Sequence, residues 1–259
     1  MLSRLSRPQF LAVCGVPVVG LLAAVLFAPL PFSVAQPGLT ADVLGKNRGA
    51  EVITIKGAPT RETSGQLRMT TIEATGPDAS VHLGDVLGSW FDTDRAVMPR
   101  DAVYPSGDDV GEIEQYNQEQ MKESQDAATT AALDYLRLGD EDIDVDLRLE
   151  DVGGPSAGLL FSLGIVDKLG TGDLTGGRVV AGTGTITDGG KVGAVGGVPL
   201  KTQAARRDGA TVFLVPKAEC SDARAELPKG LRLIPVTTLK GAVDSLKALE
   251  AGKGDVPAC

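Results

Sequence analysis

A chain of 259 residues with 42% hydrophobic and 23% charged side chains can bury an ordinary core as one large domain or two small ones. Its 34 acidic residues outnumber 25 basic ones, for a formal net charge of -9. That balance argues against a nucleic-acid partner, whose phosphates require a basic patch or stripe, and no such stripe runs through the sequence.

The first element in the chain is apolar. Phe10 to Phe27 is an uncharged run preceded by Arg4 and Arg7, and eighteen residues are just enough to span the hydrocarbon of a bilayer. Basic residues on its amino side predict that this end stays cytoplasmic. The expectation is therefore a single-pass signal-anchor over residues 1–35, with the rest of the chain extracytoplasmic at the cell membrane. Ser33-Val34-Ala35 has the small residues of a signal-peptidase site, which keeps cleavage open; the apolar run exceeds a typical signal-peptide core, which favours retention. An oxidising compartment would let Cys220 and Cys259 pair, since Cys14 lies in the apolar run, and the bridge would pin a C-terminal tail over 251–259. Two unpaired small residues are the alternative.

Alternating or β-branched runs predict strands at Glu51 to Ile55, Leu67 to Ala74, Val145 to Leu149, Arg178 to Ile186, Thr211 to Val215 and Leu231 to Val236. Ile113, Tyr116, Met121, Ala128, Ala131 and Leu136 mark a long amphipathic helix, Ser156 to Leu169 is apolar nearly all round, and Leu239 to Leu249 predicts a closing helix. Met98 to Gly111 reads as a loop. Residues 40–110 hold too few large apolar side chains for an independent core, so they add strands to one α/β (α+β) domain over 40–250.

Ser156 follows Asp151-Val152-Gly153-Gly154-Pro155 and stands at the head of an apolar helix. Backbone N–H groups at a helix start can stabilise an oxyanion; a plain N-cap serine is the structural alternative. Lys201, in Gly196-Gly197-Val198-Pro199-Leu200-Lys201, shares a helix face with Ala204 and Ala205. Burial there lowers a lysine pKa and lets the neutral amine take a proton from a serine hydroxyl. The alternative is a packed stem with its head in water. His82, between Val81 and Leu83 in a strand-like run, is the one histidine, so a Ser-His-Asp triad would hang wholly on it. No metal-ligand spacing occurs, and neither metal nor cofactor is expected. Gly182 to Val192 fails the phosphate-loop pattern, because Thr185 stands where a glycine is required and Val192 replaces Ser or Thr; two strands joined by an Asp-Gly turn fit better.

These residues resemble the Lon-type serine peptidases, which use a Ser-Lys dyad. Gly154-Pro155-Ser156-Ala157-Gly158 is similar to the nucleophile motif, Thr183-Gly184 to the Thr-Gly beside the dyad, and Gly196-Gly197 with Lys201, Ala204-Ala205 and Gly209 to the lysine motif. Gly65 to Thr75, His82 to Val86 and Met121 to Ser124 resemble the beginning of the same domain, so the similarity covers roughly residues 50–250. The resemblance implies a compact α/β peptidase domain acting on protein or peptide substrates through an acyl-enzyme. Ser156 would be its nucleophile, Lys201 the general base and Thr183 a supporting hydroxyl, with Gly154 and Ala157 at the oxyanion site. It also makes a homo-oligomer an expectation.

Within the family the anchor and Gly153-Gly154-Pro155-Ser156-Ala157-Gly158-Leu159-Leu160-Phe161 look most like a membrane-anchored bacterial branch (YlbL-like) that usually carries a PDZ module. No room for that module exists between Leu138 and Val145, and the ATPase module of energy-dependent relatives is not in these residues. Gly153 stands where Lon proper commonly has an aspartate, for which Asp151 is a candidate substitute. The expected function is an ATP-independent, membrane-anchored serine endopeptidase acting on extracytoplasmic proteins; the alternative is a catalytically inactive binding or adaptor module at the membrane.

Overall fold

The computed structural model describes residues 7–107, 109–139, 141–149 and 154–259, with side chains from Leu11 onward. Asp151 and Gly153 lie outside the described residues. In chain order the elements begin with α1 (Arg7–Phe27), β1 (Phe32–Asp42), a short hairpin of β2 (Lys46–Asn47) and β3 (Ala50–Glu51), β4 (Ile53–Lys56) and β5 (Gln66–Ala74). Then come α2 (Leu83–Trp90), β6 (Ala96–Pro99), α3 (Arg100–Val103), α4 (Val110–Leu136) and β7 (Asp144–Leu147). A 3-10 turn at Pro155–Ala157 leads into α5 (Gly158–Leu169), followed by β8 (Val179–Gly182), β9 (Thr185–Ile186), β10 (Val192–Gly193) and α6 (Val198–Arg207). The chain closes with β11 (Val212–Pro216), a 3-10 turn at Lys217–Glu219, α7 (Cys220–Ala225), β12 (Arg232–Val236) and α8 (Leu239–Ala251).

The main sheet has six strands in the order β12-β11-β8-β5-β1-β6. β12, β11, β8 and β5 run parallel, whereas β1 pairs antiparallel with both β5 and β6. Every residue of β11 is buried, as a parallel strand covered on both faces requires. Its alternation sorts the two layers: Val212 and Leu214 join the core beneath α4, α5 and α8, while Phe213 and Val215 join the smaller one beneath α6 and α7. α5 is the central helix, buried along most of its length. Its single charged core residue, Asp167, is fully buried and receives Arg61 Nη2 at 2.5 Å.

Several expectations need correction. A helix does form over Arg7–Phe27, but among the described residues no helix is long and apolar enough to cross a membrane. The apolar run is followed at once by β1, a strand that the Pro37 and Gly38 in its sequence disguise; its pairing with β5 shifts register between Pro37 and Thr40. His82 is not in a strand. It is the residue before α2, where its backbone N–H donates to Asp85 Oδ2 at 2.9 Å. The presumed loop Met98 to Gly111 contains the end of β6, all of α3 and the start of α4. The strand expected from Arg178 to Ile186 breaks at Thr183-Gly184 into β8 and β9, and β9 pairs with β10 across the turn that holds Asp188 and Gly189.

Candidate active site

The elements that carry Ser156, Thr183 and Lys201 meet at the carboxyl end of the parallel strands. β8 delivers Thr183 directly after its last residue, and the Thr183 N–H donates to Leu214 O of β11 at 3.1 Å, so its position is fixed by the sheet. Clefts in α/β folds gather at such strand ends.

Ser156 lies one turn ahead of α5 rather than at its first position. The 3-10 turn Pro155–Ala157 holds it, and the residue before α5 is Ala157, which has no capping side chain; the N-cap serine alternative therefore fails. Gly154 takes φ 86°, a conformation open to glycine, and donates its N–H to Asn117 O of α4 at 3.2 Å. From the same helix Ser124 Oγ donates to Pro155 O at 3.0 Å. Two further bonds lock the turn to the Thr-Gly pair: Gly184 N–H donates to Ser156 O at 3.0 Å, and Leu159 N–H donates to Gly184 O at 3.1 Å. Gly158 is needed at the crossing, because a Cβ there would stand 2.8 Å from Ser124 Oγ and 2.9 Å from Ile186 Cγ2.

Lys201 is 3% exposed, on the face of α6 that also buries Ala204 and Ala205. Its Nζ donates to Thr183 Oγ1 at 3.2 Å, and the Thr183 hydroxyl donates onward to Ser156 O in a longer contact of 3.4 Å. Thr183 is itself wholly buried. Among the described residues no hydrogen bond joins the Ser156 hydroxyl to the Lys201 amine, so Thr183 is the link between the two motifs. Burial brings the Lys201 pKa down to about 8, a shift opposed by the nearby Glu219 carboxylate. An amine titrating there is available in its neutral form near neutral pH.

The remaining sequence candidates separate from this centre. Cys220 and Cys259 are joined by a disulfide, with 5.3 Å between their Cα atoms, at the start of α7. His82 immediately precedes α2, which packs against β1 and β6. Among the described residues no group of His, Cys, Asp or Glu is arranged to hold a metal ion. Two contributors escaped the sequence reading. Ser124 sits in the stripe of Met121, Ala128 and Ala131, so a serine interrupting an apolar face was the available signal. Glu219 is only 9% exposed and carried no such signal, because an acid just after a strand reads as a solvated loop residue.

Residues 111–246 match the Lon protease (S16) C-terminal proteolytic domain, a span that includes α4 from its second residue, the serine turn, Thr183, Lys201 and Glu219. The chain is 38% identical over 122 residues to the Lon protease of Roseiflexus castenholzii, covering 43% of this chain and 15% of that protein. It is 28% identical over 140 residues to the Lon protease of Mesomycoplasma hyopneumoniae, covering 48% of this chain and 16% of that protein. With the Lon protease of Clostridioides difficile it shares 42% identity over 79 residues, 30% of this chain and 10% of that protein. The aligned region thus spans less than a fifth of the length of each of these curated relatives. With a domain match over more than half of its residues, the chain belongs to the Lon protease (S16) C-terminal proteolytic domain family.

Proposed function

We propose that the chain is a serine peptidase in which Ser156 is the nucleophile and Lys201 the general base. The observation that carries this reading is the chain of hydroxyl contacts from a buried, low-pKa lysine through Thr183 to the serine turn. The neutral Lys201 amine takes the proton of Ser156 Oγ as that oxygen bonds to the scissile carbonyl carbon. The resulting oxyanion is stabilised by the backbone N–H groups of Ser156 and Ala157 beside the positive end of α5, because Pro155 has no N–H and that of Gly154, expected to join them, is held by Asn117 O. Lys201, now an ammonium, returns the proton to the leaving amine, and water repeats the sequence to release the acyl group. The direct serine-lysine hydrogen bond forms when substrate binds, as apo catalytic contacts often tighten only in the complex.

The same proposal includes membrane attachment through α1, with the peptidase domain extracytoplasmic and acting on extended segments of envelope proteins without ATP. Leu11, Val16, Val19, Leu21 and Phe27 are each more than 60% exposed, a surface that water does not favour. α2 lies beside α1 and exposes Trp90 at 79%, with Phe91 next to it at 88%, side chains suited to a bilayer interface. Retention of α1 is favoured over cleavage after Ala35, because Ala35 and Ser33 are buried in β1 and a cut there would sever its pairing with β6.

Replacing Ser156 or Lys201 by alanine should abolish peptide cleavage with the far-UV circular dichroism unchanged, and cleavage by the wild type should be indifferent to ATP. Persisting cleavage in either variant removes the dyad. The alternative of a silent binding module draws on the missing Ser156-Lys201 contact; it requires that a serine-reactive phosphonate leave Ser156 unlabelled in the folded protein. Protease accessibility of the domain in intact cells tests its side of the membrane.

A further inference from the structure

Glu219 is a buried carboxylate that the proposed reaction does not use. Oε2 accepts the Val195 N–H at 3.0 Å, and Val195 begins the Gly196-Gly197 turn from which α6 starts. Gly197 leaves that turn little freedom, since it takes φ 70° and a Cβ there would meet Ile72 Cγ2 at 2.8 Å. Lys201 lies one turn into α6, its N–H donating to Gly197 O at 3.1 Å. One carboxylate therefore holds the root of the helix that delivers the lysine.

We propose that Glu219 is a positioning residue for Lys201: it clamps the turn into α6 and supplies the negative charge that faces the buried amine from the end of β11. The inference rests on the reading of Lys201 as the base. On the elements packed against α6, charged groups comprise Asp42 of β1, Arg68 and Glu73 of β5, and Asp222 and Arg224 of α7, while β8 and β11 carry none. Arg206 and Arg207 lie on α6 itself and Lys217 on the 3-10 turn. The Glu219 carboxylate favours the charged form of Lys201, and Lys201 in turn favours ionised Glu219 while Asp222 opposes it. Burial raises the Glu219 pKa, while the Val195 N–H and Lys201 favour its ionised form. The two side chains are not an ion pair in contact, because the amine is turned to Thr183.

Glu219→Gln separates charge from clamp, since the amide oxygen can still accept the Val195 N–H. Removing the charge makes the ammonium less favourable, so the Lys201 titration and the acid limb of kcat/KM should both move to lower pH, by about half a unit or more. Glu219→Ala removes the clamp too and should also lower kcat. The titration is read from the Lys201 13Cε resonance, assigned by its loss in Lys201→Met, in a Ser156→Ala background where no turnover is needed. An unchanged titration in folded Glu219→Gln overturns the inference. In the wild type, the Glu219 carboxyl 13C resonance should carry a second inflection at the lysine titration that disappears in Lys201→Met; its absence overturns the inference even if Glu219→Gln does not fold. A shifted titration in a protein that cleaves no peptide would leave the positioning role standing and remove the peptidase reading instead.

Discussion

Lys201 Nζ donates to Thr183 Oγ1 across 3.2 Å between two buried side chains, so the amine has a fixed address without being neutralised by a carboxylate in contact. Thr183→Val keeps the shape and deletes the hydroxyl, leaving the amine free to drift from the serine. A misplacement of that kind costs on the order of a hundredfold in rate. Steady-state peptide hydrolysis should therefore fall to roughly that extent in Thr183→Val and recover largely in Thr183→Ser; equal activity in all three proteins would deny Thr183 any part in the site.

The depressed Lys201 pKa makes activity and stability depend on pH in linked ways. With Lys201 as the proposed base, turnover requires the neutral amine, so kcat/KM should rise with pH through about 8 and level off above it. Between the folded value near 8 and the ordinary lysine value of 10.5 the unfolded chain binds more protons than the native one, so stability from this group increases with pH across that window. Below it the buried charge is a cost. Lys201→Met should consequently stabilise the inactive protein at pH 7, by on the order of 1–3 kcal/mol after loss of the Thr183 contact, and the gain should shrink as pH approaches 10.5. Urea melts of both proteins at pH 7 and pH 10 measure it.

Gly197→Ala tests the turn into α6. The added Cβ meets Ile72 Cγ2 at 2.8 Å in a backbone region that L-residues rarely occupy, so a loss of about 1–3 kcal/mol is expected together with reduced cleavage. A variant as stable and as active as the wild type would show that this turn adjusts freely.

The disulfide between Cys220 and Cys259 closes a loop with a sequence separation of 39 and holds the chain end, where Arg224 Nη1 donates to Cys259 O at 3.1 Å. Cys259→Ser should lower stability by about 2–4 kcal/mol through the greater freedom of the unfolded chain. Cleavage at 25 °C should persist, because the bridge lies at the start of α7 rather than at the serine turn. Thermal melts with and without reductant provide the measurement, and the serine variant should no longer respond to reductant.

Much of the parallel half of the sheet was legible because its strands are nearly pure hydrophobic runs, as at Val212 to Val215, and because Val198 to Arg207 keeps helical spacing with Lys201 on the Ala204-Ala205 face. The antiparallel half was not. β1 carries Pro37 and Gly38 where a strand pattern should alternate, and it is held by β5 and β6 on either side rather than by its own propensity. α2 and β6 are short, and tertiary contacts decide whether such segments form at all.

What the sequence determined by itself was the set of groups: a serine in a glycine-rich turn, a lysine on an apolar helix face and a Thr-Gly pair between them. Local patterns carry that information because side-chain period and turn chemistry are short-range. The tertiary structure alone decided how far apart they stand. It put Thr183 between the amine and the serine turn, set Ser156 one turn ahead of α5, and brought Glu219 from the end of β11 to the root of α6. The Lys201–Thr183, Thr183–Ser156 and Val195–Glu219 contacts join residues 18 to 27 positions apart in sequence, and only packing of the sheet against α5 and α6 fixes the desolvation that tunes the lysine.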